Sequence, residues 1–182
     1  MPLLVFGLPT HVLLVHAVVV LVPLAVLGSV TIAVWPAARR RYGWPAVAVT
    51  AAATVSVPLA TEAGEALEHA LPRSPEIAAH AHLGDELLPF VITLLLLTVA
   101  LMVLDRARRT LRREVDPDSA PGTVAGRPPP TAAVRVGTVV TVLLTVAVAA
   151  VCAVQVVRIG DSGARAAWGD QVYVQQTGQD EG

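Results

Sequence analysis

Long apolar runs separated by short polar stretches dominate this chain. Four such runs cover residues 12–35, 44–63, 87–104 and 136–157. Each is close to the roughly 20 apolar residues that a helix needs to cross a bilayer. They predict four spanning helices. The second run is the most polar, being rich in Ala and Thr, with Pro58 inside it and Glu62 at its end. Pro23, Pro58 and Pro89 fall within or at the edge of predicted helices, where neighbouring helices re-satisfy the freed carbonyls. From 12 to 35 the first run has no Asp, Glu or Arg, and His16 is its one titratable group. No basic residue precedes it and no small-residue cleavage motif follows, so it reads as a retained helix and not a signal peptide.

The polar stretches give the orientation. Arg39, Arg40 and Arg41 lie between runs one and two. Arg106, Arg108, Arg109, Arg112, Arg113, Arg127 and Arg135 lie between runs three and four. Arg73, Arg158 and Arg165 fall on the other side. Three plus seven against three predicts that both termini are outside and the 1–2 and 3–4 loops cytoplasmic. Trp35, Tyr42 and Trp44 flank the first cytoplasmic loop as an interfacial aromatic belt would. The loop at about 105–131 begins basic and becomes Asp/Pro/Gly-rich, ending in Pro128, Pro129 and Pro130. It reads as a short helical extension followed by a flexible linker. The expected organisation is a four-helix transmembrane bundle over 1–158, all α and N-out/C-out, with a short extracytoplasmic tail over 159–182.

Composition agrees with this class. The 182 residues are 54% hydrophobic with mean hydropathy +0.65, far from a soluble domain of this size. All 13 basic residues are Arg, which with the Ala/Val/Pro bias suggests a high-GC bacterial genome and a multi-pass protein of the bacterial plasma membrane. A net charge of −1 gives no electrostatic case for nucleic acid. The bilayer is the partner the sequence implies, and a membrane redox complex or a homo-oligomer would be its protein partners. Cys152 is the single cysteine, so no internal disulfide forms. There is no CxxCH motif for covalent haem, no Gly-rich phosphate loop and no Ser/His/Asp arrangement.

The candidate chemistry lies in one layer. Counting about 20 residues from the cytoplasmic end of each run brings His16, Gly64 and Glu86 to one depth. His11, Glu62, Glu65, Glu68, His69, Glu76, His80, His82 and Asp85 fall near the same level, so all five histidines belong to it. Glu62, Glu65 and His69 share a face of helix two at i, i+3 and i+7. His82 pairs with Glu86 at i+4. His80 and His82 stand about 200° apart on a helix, so at most one points into the bundle. His11 and His16 are about 140° and about 7.5 Å apart along one helix, too far to chelate an ion alone. A shared site needs ligands from helices one, two and three.

Three readings fit the layer. One is a b-type haem ligated by histidines of two helices, from His16, His80, His82 and His11. Another is a copper, zinc or iron site using His69, Glu65 and Glu62. The third is a hydrogen-bonded polar cap at the interface. The first two make the chain a redox-associated haem- or metal-binding membrane protein. The third makes it a structural or accessory subunit of a membrane complex. Runs three and four contain no acidic, basic or histidine residue, so no ion path crosses the membrane.

The segments Gly7-Leu-Pro-Thr-His11-Val-Leu-Leu-Val-His16, Glu62-Ala-Gly64-Glu65-Ala-Leu-Glu68-His69 and His80-Ala-His82-Leu-Gly84 resemble a family of bacterial four-helix membrane proteins classed as a domain of unknown function. The segment from Arg158 through Asp161 to Trp168 resembles its actinobacterial branch. The resemblance implies the four-helix topology and no particular activity. The family pattern has Pro where this chain has Val12 and His where it has Asp161.

Overall fold

Backbone amides in hydrocarbon must be satisfied within their own segment, and the apolar runs do this as helices. A computed structural model describes residues 4–5, 8–71, 74–115 and 132–168. The elements are β1 (Leu4–Val5), β2 (Leu8–Pro9), α1 (Thr10–Val34), α2 (Pro36–Glu68), α3 (Pro75–Val115) and α4 (Ala132–Trp168). The two strands form a minimal antiparallel pair, Leu4 opposite Pro9 and Val5 opposite Leu8, which leads directly into α1. All four helices are long and apolar enough to cross a membrane.

The helices run up and down. α1 packs on α2, α2 on α3, α3 on α4, and α4 closes against α1. The starts of α1 and α3 and the ends of α2 and α4 therefore meet at one end, here the terminal end. The other end is arginine-rich. At about 1.5 Å per residue the 41 residues of α3 extend about 60 Å, twice the hydrocarbon thickness, so the helix projects beyond its apolar run. The basic start of the 3–4 loop is the last part of α3, as predicted. The expected linker beyond Val115 and the Gln/Gly-rich end beyond Trp168 lie outside the described residues. α4 continues without a break through 158/159 to Trp168, so the first part of the expected tail is helix.

α1 and α2 are joined by a single residue. Trp35 is extended (φ −117°, ψ 98°), since the following Pro36 disfavours the helical conformation at the position before it. Pro36 then starts α2, where a missing N–H has no helical partner to lose. The open carbonyls at the end of α1 are met by Arg39, which turns back from α2. Its Nε donates to Ile32 O at 2.7 Å and its Nη2 to Ala33 O at 2.6 Å. Arg39 is 4% exposed, whereas Arg40 and Arg41 are exposed. One arginine of the triplet is thus an internal cap. Trp35, Tyr42 and Trp44 all face outward, as an aromatic belt requires.

The core is built from small and branched residues. Val22, Ala25, Ala53, Val57, Leu87, Val91, Leu94, Ala149 and Cys152 form one buried cluster drawn from all four helices. Small side chains allow close helix approach where lipid provides no hydrophobic drive. Toward the arginine-rich end of the bundle, Ser29, Thr50 and Thr98 meet with no exposed surface. Ser29 Oγ lies 2.9 Å from Thr98 Oγ1 and 3.4 Å from Thr50 Oγ1. Both threonines donate to their own helices, Thr50 to Ala46 O at 2.8 Å and Thr98 to Leu94 O at 2.7 Å. The Ser29 proton therefore goes to Thr98, the nearer oxygen. Outside the bundle the polarity reverses: Val20, Leu27, Leu96, Leu143 and Val157 are all more than 60% exposed. An apolar exterior around hydroxyl-bearing contacts is the arrangement a bilayer stabilises.

Candidate functional site

At the terminal end, four helices contribute to one constellation. His11 is the second residue of α1, and its Nδ1 lies 3.0 Å from Ala60 O on α2. A carbonyl has no proton to give, so Nδ1 is the donor and, in the neutral ring, Nε2 keeps its lone pair. His80, on α3, has Nδ1 2.9 Å from Ser162 Oγ on α4. The Ser162 hydroxyl donates to Ile159 O at 2.9 Å, so it accepts from His80. His80 is thus fixed in the same tautomer, again with Nε2 unprotonated. The two rings meet edge to face, with centroids 6.3 Å apart and planes at 80°.

Two glycines make room for these rings. A Cβ on Gly64 of α2 would lie 3.1 Å from His11 Cε1 and Nδ1. A Cβ on Gly163 of α4 would lie 3.0 Å from His80 Cε1. Both separations are tighter than ordinary packing, so each imidazole occupies the space of an absent side chain. Both histidines are half-buried.

The other predicted site residues stand apart. His16 is exposed on the outside of α1, its Nδ1 donating to Val12 O at 2.6 Å one turn back. His82 is 78% exposed and sits 3.8 Å from Glu86 Oε1, while His80 faces inward. His69 follows the last residue of α2 and, like Glu62 and Glu65, is exposed. Among the described residues no group of three or more His, Cys, Asp or Glu is placed to hold a metal ion. Of the expected ligands, the fold brings together His11 and His80.

Ser162 and Gly163 are the members of this constellation that sequence reading missed. Their signal is the continuing helical period: Cys152, Gln155, Ile159 and Ser162 fall at i, i+3, i+7 and i+10, one face of α4. The polar composition after Arg158 hid it.

The DUF2231 family, described as a predicted membrane protein, matches residues 7–176. The chain belongs to that family. The match includes all four helices and every residue of the His11/His80 constellation. This DUF2231 protein is therefore a multi-pass membrane protein of a family whose function is unknown. No curated protein and no solved structure matches it.

Proposed function

We propose that this DUF2231 chain is a redox-associated membrane protein that binds a haem iron or a transition-metal ion (copper, zinc or iron) through Nε2 of His11 and His80. One observation carries the reading: each imidazole gives its Nδ1 proton to an oxygen and keeps an Nε2 lone pair. Metal-ligating histidines are held this way, because the second hydrogen bond fixes tautomer and ring orientation. His11 and His80 would hold such an ion through their unprotonated Nε2 atoms, an imidazole nitrogen binding a metal at about 2.0–2.1 Å. The two rings are neighbours, with centroids 6.3 Å apart. Iron or copper held there would supply one-electron chemistry. The protein's own part is to orient both rings, through Ala60 and Ser162, and to leave them room at Gly64 and Gly163. The arginine distribution favours an exterior location for the site.

A second reading has its own observation. His11 ties α1 to α2 and His80 ties α3 to α4, so the pair would serve as staples in a structural or accessory subunit. Optical spectroscopy separates the two. The protein, expressed with haem precursor and metals supplied and purified in detergent, should show a Soret band that sharpens and shifts on reduction. If the spectrum is blank, elemental analysis should find near-stoichiometric copper, zinc or iron. His11→Ala and His80→Ala should each lose the bound group, and His16→Ala and His82→Ala should keep it. A colourless, metal-free protein after reconstitution, with His11→Ala and His80→Ala altering only the unfolding midpoint, leaves the staple role alone.

A further inference from the structure

On the outer surface of the bundle, a groove of about 630 Å³ lies along the seam of α3 and α4. Its walls are Pro89 and Phe90 of α3 and Ala150, Val151 and Val154 of α4. Its mouth, toward the terminal end, is Glu86, Gln155 and Arg158. Gln155 is 5% exposed and joins the two charges: its Nε2 donates to Glu86 Oε2 at 3.2 Å, and its Oε1 accepts from Arg158 Nη1 at 2.9 Å. The amide is used on both sides, so it acts as a strut. It holds a carboxylate and a guanidinium at the mouth without letting them meet as an ion pair.

The groove thus runs from a polar mouth at the level of the histidine layer into a hydrocarbon wall. That is the polarity of a lipid lying along the bundle with its headgroup at the terminal end. The mouth offers one negative and one positive group, which matches a zwitterionic headgroup and neither an anionic nor a neutral one. Glu86 is partly exposed and keeps acceptor capacity beyond its bond from Gln155. Its neighbour His82 stands off at 3.8 Å. Arg158 is exposed and has donors left in a fork suited to phosphate oxygens. A primary ammonium donates three hydrogen bonds and a trimethylammonium none, so the carboxylate discriminates between them.

The geometry points to a specific site for a phosphatidylethanolamine: ammonium on Glu86, phosphate on Arg158, one acyl chain along Phe90, Val151 and Val154. This site is independent of the histidine pair and shares no residue with it.

Native mass spectrometry tests it on the full chain, released from micelles carrying equimolar dioleoyl phosphatidylethanolamine, phosphatidylcholine and phosphatidylglycerol. The wild type should retain phosphatidylethanolamine in preference to both others. Glu86→Gln should lower that preference over phosphatidylcholine about tenfold, the scale of one charge-assisted hydrogen bond. Arg158→Gln should lower retention of all three phospholipids. Val154→Phe, an apolar exchange on the lipid-facing wall that leaves both charges in place, should block the groove and lower retention, and it carries the test by itself where Glu86→Gln does not fold. Equal retention of the three lipids, a preference for phosphatidylglycerol, or unchanged retention in folded Glu86→Gln and Val154→Phe overturns the assignment.

Discussion

The buried hydroxyl cluster shared by α1, α2 and α3 allows a sharp test, because its protons can be counted. Ser29 has one proton, and Thr50 and Thr98 have committed theirs to Ala46 O and Leu94 O. The bond between α1 and α3 is therefore Ser29 to Thr98 at 2.9 Å, and the 3.4 Å approach to Thr50 has no proton of its own. Interhelical hydrogen bonds of this kind contribute on average about 0.6 kcal/mol and at most about 1.7. The Ser29/Thr98 pair is fully buried and well placed, so its coupling belongs in the upper part of that range. Ser29→Ala and Thr98→Val, singly and together, form a double-mutant cycle. Unfolding in mixed micelles with increasing SDS, followed by far-ultraviolet circular dichroism, gives the four free energies. The Ser29/Thr98 coupling should be about 1–1.5 kcal/mol, and the parallel Ser29/Thr50 cycle below about 0.5. A Ser29/Thr50 coupling equal to or larger than the Ser29/Thr98 value refutes the proton assignment.

Three further outcomes follow from other contacts. Arg39→Ala strips both charge-assisted bonds from the end of α1 and should cost about 2–4 kcal/mol in the same assay, given about 1.5–3 per charged hydrogen bond less what entering water restores; Arg40→Ala should leave the midpoint where it is. Gly163→Ala gains about 0.8–1 kcal/mol of helix propensity and loses a hydrogen bond of similar size, so stability should hardly change. The ¹⁵N imidazole spectrum should nevertheless show His80 leaving the Nδ1–H tautomer, whereas Gly160→Ala, with open space around it, should leave that signal unaltered. Reporter fusions after Arg113 should behave as cytoplasmic and fusions after Trp168 as exported; an exported signal at Arg113 would reverse the orientation drawn from the arginines.

The existence of four helices and their apolar exterior were legible because hydrocarbon leaves the backbone no other way to satisfy itself, and length and hydropathy alone report that. The layer of histidines was legible for a similar reason. Counting residues along a helix measures depth, since the rise per residue is nearly constant. Rotation about the helix axis is less readable in runs that are apolar on every side. His11 and His16 were both candidate ligands on one helix, yet His16 faces outward and His11 faces Gly64. The 200° separation of His80 and His82 showed that at most one could face inward, without saying which.

Sequence alone therefore determined membership of the membrane class, the number of spans and the end of the bundle where the titratable groups gather. These are properties of a segment taken by itself against its solvent. The tertiary structure decided which residues meet. It turned Arg39 inward from a triplet that otherwise looked like a surface charge, and it set Gly163 and Ser162, from an apparently loose polar tail, against His80 on a helix some 80 positions earlier. Such pairings depend on the rotation and register of one helix against another, which are fixed by the packing of small side chains between helices and leave no periodic mark in either segment.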